Sequence, residues 1–316
     1  MAAPDSCWAL HDGIAGHRRQ VLALAQALFP DCRELALRAR APWVWLAPRR
    51  LPGAGHAFGA EFAGLLQAPP RLAIGCARRA ALATRLLREQ GSTVVQVLDP
   101  RLDPQHWDLV IAPEHDRVDA PNVIRLCGSL HPVDADWLAA ARETRPELGT
   151  LPGPRTVVLL GGPTRAVPMG DGAFARVFRQ LSAWRAGDGG SLLLIGSRRT
   201  PAAWAAAARE LAEEGAGLCW LGPEDGENPY AAALAWADRI VCTPDSVNMV
   251  SEACATEAPV FVARPDLATG RIRRFLDSLL ERGRIRALGE QPEDFAAEPL
   301  REAARVAALV RQRLGL

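Results

Sequence analysis

Thr243-Pro-Asp-Ser-Val-Asn-Met-Val-Ser-Glu252 directly follows the short apolar run Arg239-Ile-Val-Cys242. A run of that kind giving way to this segment reads as a strand turning into a helix. Asp245 or Ser246 suits the helix cap, leaving the first amides facing outward. Such an end attracts anions such as phosphate. Glu252 lies farther along the helix, where a carboxylate accepts hydrogen bonds from sugar hydroxyls. A phosphate-favouring helix start with a carboxylate downstream suits a nucleotide-sugar. A capped helix in any α/β protein explains the same letters.

The same alternation runs through the chain. In the first half, strands are expected at Cys7–Leu10, Arg33–Leu37, Leu72–Ile74, Thr93–Leu98, Leu109–Ala112 and Val123–Arg125, with helices at His17–Phe29, Ala57–Leu66, Arg78–Gln90 and Asp134–Arg145. The second half repeats it, with strands at Thr156–Leu160, Ser191–Ile195, Gly217–Leu221, Arg239–Cys242 and Pro259–Val262. Its helices are expected at Asp171–Trp184, Pro201–Glu214, Tyr230–Trp236, Ser246–Ala255, Ile272–Arg282 and Pro299–Arg313. Strand–helix alternation implies parallel sheets covered on both faces. At 316 residues the chain suits two such domains. The breaker-rich segment Arg145-Pro-Glu-Leu-Gly-Thr-Leu-Pro-Gly-Pro154 places the division at 150/151. Two open sheets side by side, facing across a cleft, bind ligands at the carboxyl ends of their strands.

Composition narrows the chemistry. The formal net charge is +1, so bulk charge implies no nucleic-acid partner. All 37 basic residues are Arg, which excludes a Schiff-base lysine and a Gly-Lys-Ser/Thr phosphate loop. The seven Cys are scattered, with no zinc spacing, and read as reduced thiols of a cytoplasmic protein. Neither a signal peptide nor a membrane-spanning segment is expected.

The turns after the strands collect Gly and polar residues. In Asp12-Gly-Ile-Ala-Gly-His17, Gly13 and Gly16 permit a tight turn, and His17 sits near a helix start that favours the neutral, proton-accepting imidazole. His17 could take a proton from an acceptor hydroxyl, with Asp12 as a rival base or as the group that orients it. Gly161-Gly-Pro-Thr164 could let backbone approach a pyrophosphate, or simply end a strand. In Gly196-Ser-Arg-Arg-Thr-Pro201, Arg198 and Arg199 can neutralise a diphosphate, with Thr200 capping a helix whose first residue is Pro201. In Asn228-Pro-Tyr230 the ring or amide could meet a base or sugar, although a helix-start turn accounts for it equally. Asp134-Ala-Asp136 spells a metal-binding motif but reads as a helix cap, and no metal site is expected. Pro42-Trp-Val-Trp-Leu-Ala-Pro-Arg-Arg-Leu51 sets Trp43 and Trp45 beside Arg49 and Arg50, which suits an anionic membrane surface.

Taken together, the segments Asp12–Gln20, Ile74–Arg79, Gln96–Arg101, Asp108–Asp116, Leu160–Pro163, Ser197–Pro201, Asn228–Tyr230 and Asp245–Ala253 resemble the mitochondrial-fission ELM family, which includes many bacterial proteins regarded as glycosyltransferases. Cys76 and Ala77 depart from the smaller or hydroxyl residues expected there. The family is similar to GT-B glycosyltransferases, especially the bacterial enzyme that adds N-acetylglucosamine to a lipid-linked muramyl peptide.

That resemblance implies two Rossmann-like domains. The C-terminal one would hold a nucleotide-sugar as substrate, with no cofactor. Its donor residues would be Gly161, Gly162, Thr164, Ser197, Arg198, Arg199, Thr200, Asn228, Tyr230, Asp245, Ser246, Met249 and Glu252. The N-terminal domain would present Gly13, Gly16, Gln20, Arg78, Arg79, Asp99 and His115 to a glycolipid or envelope acceptor. The protein would be cytoplasmic, with peripheral contact at the inner membrane. A partner-recruiting scaffold, as in the plant members, and a sugar-nucleotide 2-epimerase are the rival expectations.

Overall fold

A computed structural model describes residues 6–316. The chain divides into two compact units: unit 1 comprises residues up to Pro132 together with Arg301–Leu316, and unit 2 comprises Val133–Leu300. The division falls after Pro132 rather than in the breaker-rich segment near residue 150. The intervening helix α5 (Ala135–Thr144) packs on α8 (Tyr230–Trp236), so it belongs with unit 2. The last helix, α11 (Glu302–Leu314), belongs with unit 1.

Unit 1 is built on β1 (Cys7–His11), β2 (Arg33–Ala36), β3 (Leu72–Cys76), β4 (Thr93–Val97), β5 (Leu109–Pro113) and β6 (Val123–Leu126). They form one parallel sheet in the order β2-β1-β3-β4-β5-β6. Alternate residues feed opposite faces, as a pleated strand requires. Cys7, Ala9, Ile74, Val95 and Ile111 pack under α1 (Ala15–Leu28) and α11, against Val21, Leu24, Val306 and Val310. Trp8, Leu10, Ala73, Val94 and Val110 face α3 (Gly59–Leu65) and α4 (Ala77–Glu89), against Phe62, Ala83 and Leu87. Because both faces are covered, the central strands read as continuous apolar runs.

Unit 2 carries β7 (Arg155–Leu159), β8 (Ser191–Ile195), β9 (Gly217–Trp220), β10 (Arg239–Cys242), β11 (Val260–Val262) and β12 (Ile285–Ala287), in the order β12-β11-β10-β7-β8-β9. All its pairings are parallel. Its other helices are α6 (Asp171–Asp188), α7 (Ala202–Glu213), α9 (Val247–Cys254) and α10 (Gly270–Glu281). Two elements depart from the expected list. The four-residue helix α2 (Trp43–Leu46) occupies a segment expected only as a surface patch. The three-residue edge strand β12 was not foreseen.

Each strand order reverses direction once. In unit 2 the chain leaves β7 for β8 on one side and returns to β10 on the other, and in unit 1 the reversal lies between β1 and β3. Helices then diverge on opposite faces, and a crevice opens at the carboxyl ends of those strands. Leu159 and Cys242 are register partners, so β7 and β10 end level and their following turns meet.

Candidate functional site

In unit 2 the turns after β7, β8 and β10 are tied by one hydrogen-bonded chain. The Gly161 amide donates to Thr243 Oγ1 (2.8 Å), and the Thr243 hydroxyl donates to Asp245 Oδ1 (2.6 Å). Arg199 Nη2 donates to Asp245 Oδ2 (2.5 Å). The Asp245 side chain is almost fully buried while Arg199 is half exposed, so the pair joins the sheet edge to solvent. Thr200 accepts from the Ser197 amide (2.8 Å) and donates to the Leu160 carbonyl (2.9 Å), fastening the β8 turn to the end of β7.

Several expectations change here. Ser246 is the residue that caps α9, accepting from the Met249 amide (3.4 Å), whereas Asp245 turns away to Arg199. Thr200 does not cap α7; Pro201 holds the cap position and the hydroxyl serves the turn instead. The room left by Gly161 and Gly162 is also taken by protein. A Cβ at 161 would lie 2.1 Å from an Asp245 carboxylate oxygen, and one at 162 would lie 2.0 Å from the Arg199 carbonyl oxygen. Thr164 accepts from the Val167 amide (3.1 Å), which closes its own turn. Arg198 is exposed. The anion-attracting groups are therefore the outward faces of Arg198 and Arg199 with the start of α9.

Glu252, on α9, is 1% exposed, and the Tyr230 hydroxyl donates to its Oε2 (2.6 Å). Asn228 Oδ1 accepts from the Tyr230 amide (2.9 Å), so this amide side chain shapes the start of α8. Tyr230 is half-buried.

In unit 1, His17 Nδ1 lies 2.9 Å from Asp12 Oδ1, which also accepts from the Ile14 amide (3.2 Å). A carboxylate only accepts, so Nδ1 donates in this bond, and in the neutral imidazole the lone pair then lies on Nε2. Gly13 bends the loop with φ +83°, and its amide donates to His11 Nδ1 (3.0 Å). Buried His11 donates through Nε2 to Glu34 (2.9 Å). Arg18 grips Glu34 twice, at 2.6 and 2.8 Å, and lowers its carboxyl to about 2. Burial, with the charge of Asp12 adding to it, pushes the Cys76 thiol at the end of β3 up. Gly16 lies in the first turn of α1, and Gln20 is buried behind it.

The remaining residues expected on the acceptor side follow neighbouring strands. Arg78 and Arg79 open α4, with Arg78 Nη2 donating to the Val44 carbonyl (3.2 Å). Asp99 accepts from the Arg101 amide (2.8 Å) and pairs with its Nε (3.1 Å). His115 follows β5, 4.0 Å from Asp116. The Trp/Arg segment is only partly outward. Trp45 is 70% exposed, but Trp43 packs on the core and Arg50 pairs with Glu89 (2.6 Å). No helix among the described residues is long and apolar enough to cross a membrane.

Thr243, His11 and Glu34 escaped the sequence reading. Thr243 stood inside the deciding stretch, yet its role depends on Gly161, 82 residues away. Glu34 sits on an exposed edge strand, where a charge is unremarkable in sequence.

The sequence profile described as "Mitochondrial fission ELM1" matches residues 15–314. The mitochondrial fission protein ELM1 of Arabidopsis thaliana is 31% identical over 276 residues, covering 78% of this chain and 64% of the relative. This chain thus spans less than two thirds of that relative's length. An uncharacterized protein of Rickettsia prowazekii is 23% identical over 285 residues, covering 77% of this chain and 79% of the relative. Among solved structures, the UDP-GlcNAc 2-epimerase from Methanocaldococcus jannaschii aligns with TM-score 0.62 at 13% identity, covering 99% of this chain and 100% of its own. MurG of Acinetobacter baumannii aligns with TM-score 0.51 at 15% identity, covering 99% and 92%. The calicheamicin glycosyltransferase CalG4 gives 0.51 at 15%, covering 99% and 93%. At these identities the likeness is one of fold, a fold shared by GT-B glycosyltransferases and sugar-nucleotide epimerases.

Proposed function

The chain belongs to the mitochondrial fission ELM1 family, and from that premise we propose that it is a GT-B glycosyltransferase that moves a sugar from a nucleotide-sugar to a membrane-associated glycolipid or envelope polysaccharide, such as a lipopolysaccharide core. The observation that carries this reading is the linkage of Gly161, Thr243, Asp245 and Arg199 at the strand-order reversal of unit 2, with Glu252 on the helix that opens there.

In this reading, Arg198, Arg199 and the start of α9 receive the donor diphosphate, where positive charge stabilises it as it departs. Arg199 keeps its grip on Asp245 through one nitrogen, and a guanidinium offers five N–H donors in all. A donor hydroxyl takes the place of the Tyr230 hydroxyl on Glu252. On unit 1, His17 Nε2 accepts the proton of the acceptor hydroxyl while Asp12 holds Nδ1. The acceptor oxygen bonds to the anomeric carbon, and the bond from that carbon to the diphosphate breaks with its electron pair leaving on phosphate.

Incubating the protein with radiolabelled nucleotide-sugars and a bacterial lipid extract tests the proposal. Label should pass to the lipid fraction, and His17→Gln should lower the transfer rate by about 10²–10⁴-fold. Failure of every donor to label any lipid, with folded protein, would contradict it.

A scaffold reading draws on the name of the Arabidopsis relative, a fission protein. It expects Glu252→Ala to leave the cellular phenotype intact and Trp45→Ser to abolish it.

A further inference from the structure

Three arginines from separate segments of unit 1 border one small cavity. Arg78 follows β3, Arg101 follows β4, and Arg49 follows α2. The cavity has a volume of about 180 Å³, and Trp45 and Leu102 form its apolar wall. No carboxylate lines it. Arg78 uses one nitrogen on the Val44 carbonyl, and Arg101 uses its Nε on Asp99. Three guanidinium groups border the cavity and no carboxylate does, and the neighbouring Asp99 and Glu89 pair with Arg101 and Arg50, so the cavity keeps a positive balance. A whole small-molecule ligand usually needs about 300–1,000 Å³, so this space suits an anionic fragment of a larger molecule.

Its position indicates which fragment. Arg78 and Arg101 lie at the carboxyl ends of β3 and β4, the same sheet edge as the Asp12–His17 pair after β1. The separation from β1 to β4 is two strand spacings, on the order of 10 Å. On the outer side the chain exposes Trp45 (70%) and, two residues past Arg49, Leu51 (43%). An exposed indole and a leucine beside arginines match the boundary between lipid tails and anionic headgroups.

We propose that the Arg49–Arg78–Arg101 cavity holds the phosphate or diphosphate of a lipid-borne acceptor while Trp45 and Leu51 enter the lipid surface beside it. The inference rests on unit 1 being the acceptor side, and it adds Arg101, which the sequence reading did not single out. The acceptor's sugar would then extend along the sheet edge toward His17.

Flotation of the full chain with vesicles is the test. The vesicles are phosphatidylcholine alone, or phosphatidylcholine carrying a polyprenyl diphosphate. Inorganic pyrophosphate, titrated by calorimetry, is the soluble arm. The protein should float only with the polyprenyl-diphosphate vesicles. The double variant Arg78→Ala/Arg101→Ala should reduce that binding by more than ten-fold, at about five-fold per arginine. Leu51→Ser, outside the cavity lining, should weaken vesicle binding and leave pyrophosphate affinity unchanged. A control on unit 2, Arg176→Ala/Arg179→Ala, should change neither.

Pyrophosphate binding without vesicle binding would overturn the lipid source. Absence of both, or binding unchanged in the arginine variant, would overturn the site. If the double alanine variant fails to fold, the single variants Arg78→Ala and Arg101→Ala, each expected to lose about five-fold, and the exposed Leu51→Ser still decide. Donor binding, titrated separately, distinguishes the two claims. Intact donor binding without lipid binding sinks only this inference, and lipid binding without donor binding sinks only the transferase reading.

Discussion

His131 shows what one buried side chain does to the pH dependence of this protein. It follows β6, is 2% exposed, and faces Arg19 and Arg301. Burial, with those two positive charges, pushes its imidazole down to about 4. The unfolded chain therefore takes up a proton near pH 6.5 that the folded chain refuses until about pH 4. This contribution is complete above pH 6.5 and is lost as pH falls toward 4, by an amount on the order of 3 kcal/mol. Urea unfolding of parent and His131→Phe at pH 7 and 4.5 checks it, and the parent should lose more stability between the two. Gly161 makes a second residue-level prediction. Gly161→Ala drives a methyl group into the Asp245 carboxylate, so it should weaken any donor at least ten-fold and lower the melting temperature. The letters alone placed both Asp245 and Ser246 at the helix cap, since either side chain can cap. Arg199 decided between them from 46 residues away, and nothing in the local pattern carries that partner.

At the scale of elements, α9 is held at both ends. Ser246 caps its start, and at its other end the buried Arg284 donates to the carbonyls of Ala253, Cys254, Thr256 and Ala258. Burial lowers the Arg284 guanidinium from its usual value, yet a cation at a helix C-terminus also meets the negative end of the dipole. Arg284→Met would take this donor from the Thr256 and Ala258 carbonyls, while those of Ala253 and Cys254 keep the amides of Thr256 and Leu300, and should destabilise unit 2 by about 3 kcal/mol, readable by chemical denaturation. The other long elements were legible because apolar runs and helical periodicity agree over many residues. Ile285–Ala287 was not, since only one of its three residues is buried. The short helix Trp43–Leu46 lies just after Pro42, and its place depends on Trp43 packing against the core. Sequence therefore marked the Trp/Arg segment as special, while packing determined which indole turns outward.

At the scale of the molecule, two sheets with separate strand-order reversals each gather their polar turns at the carboxyl edge. That much followed from strand–helix alternation, because parallel strands require crossover helices and leave one edge open. The candidate site is legible to the same depth: the turns were identified, but the hydrogen bonds that join them were not. The central claim is that unit 2 seats a nucleotide-sugar against Arg199 and Glu252. Calorimetric titration of the purified protein with UDP-, GDP-, ADP-, CMP- and dTDP-sugars tests it most directly, with Arg199→Ala and Glu252→Ala run alongside. The account predicts saturable binding of at least one donor, weakened at least ten-fold in each variant, while each variant remains folded by circular dichroism. Folded protein that binds none of the donors, or variants that bind as tightly as the parent, would contradict it.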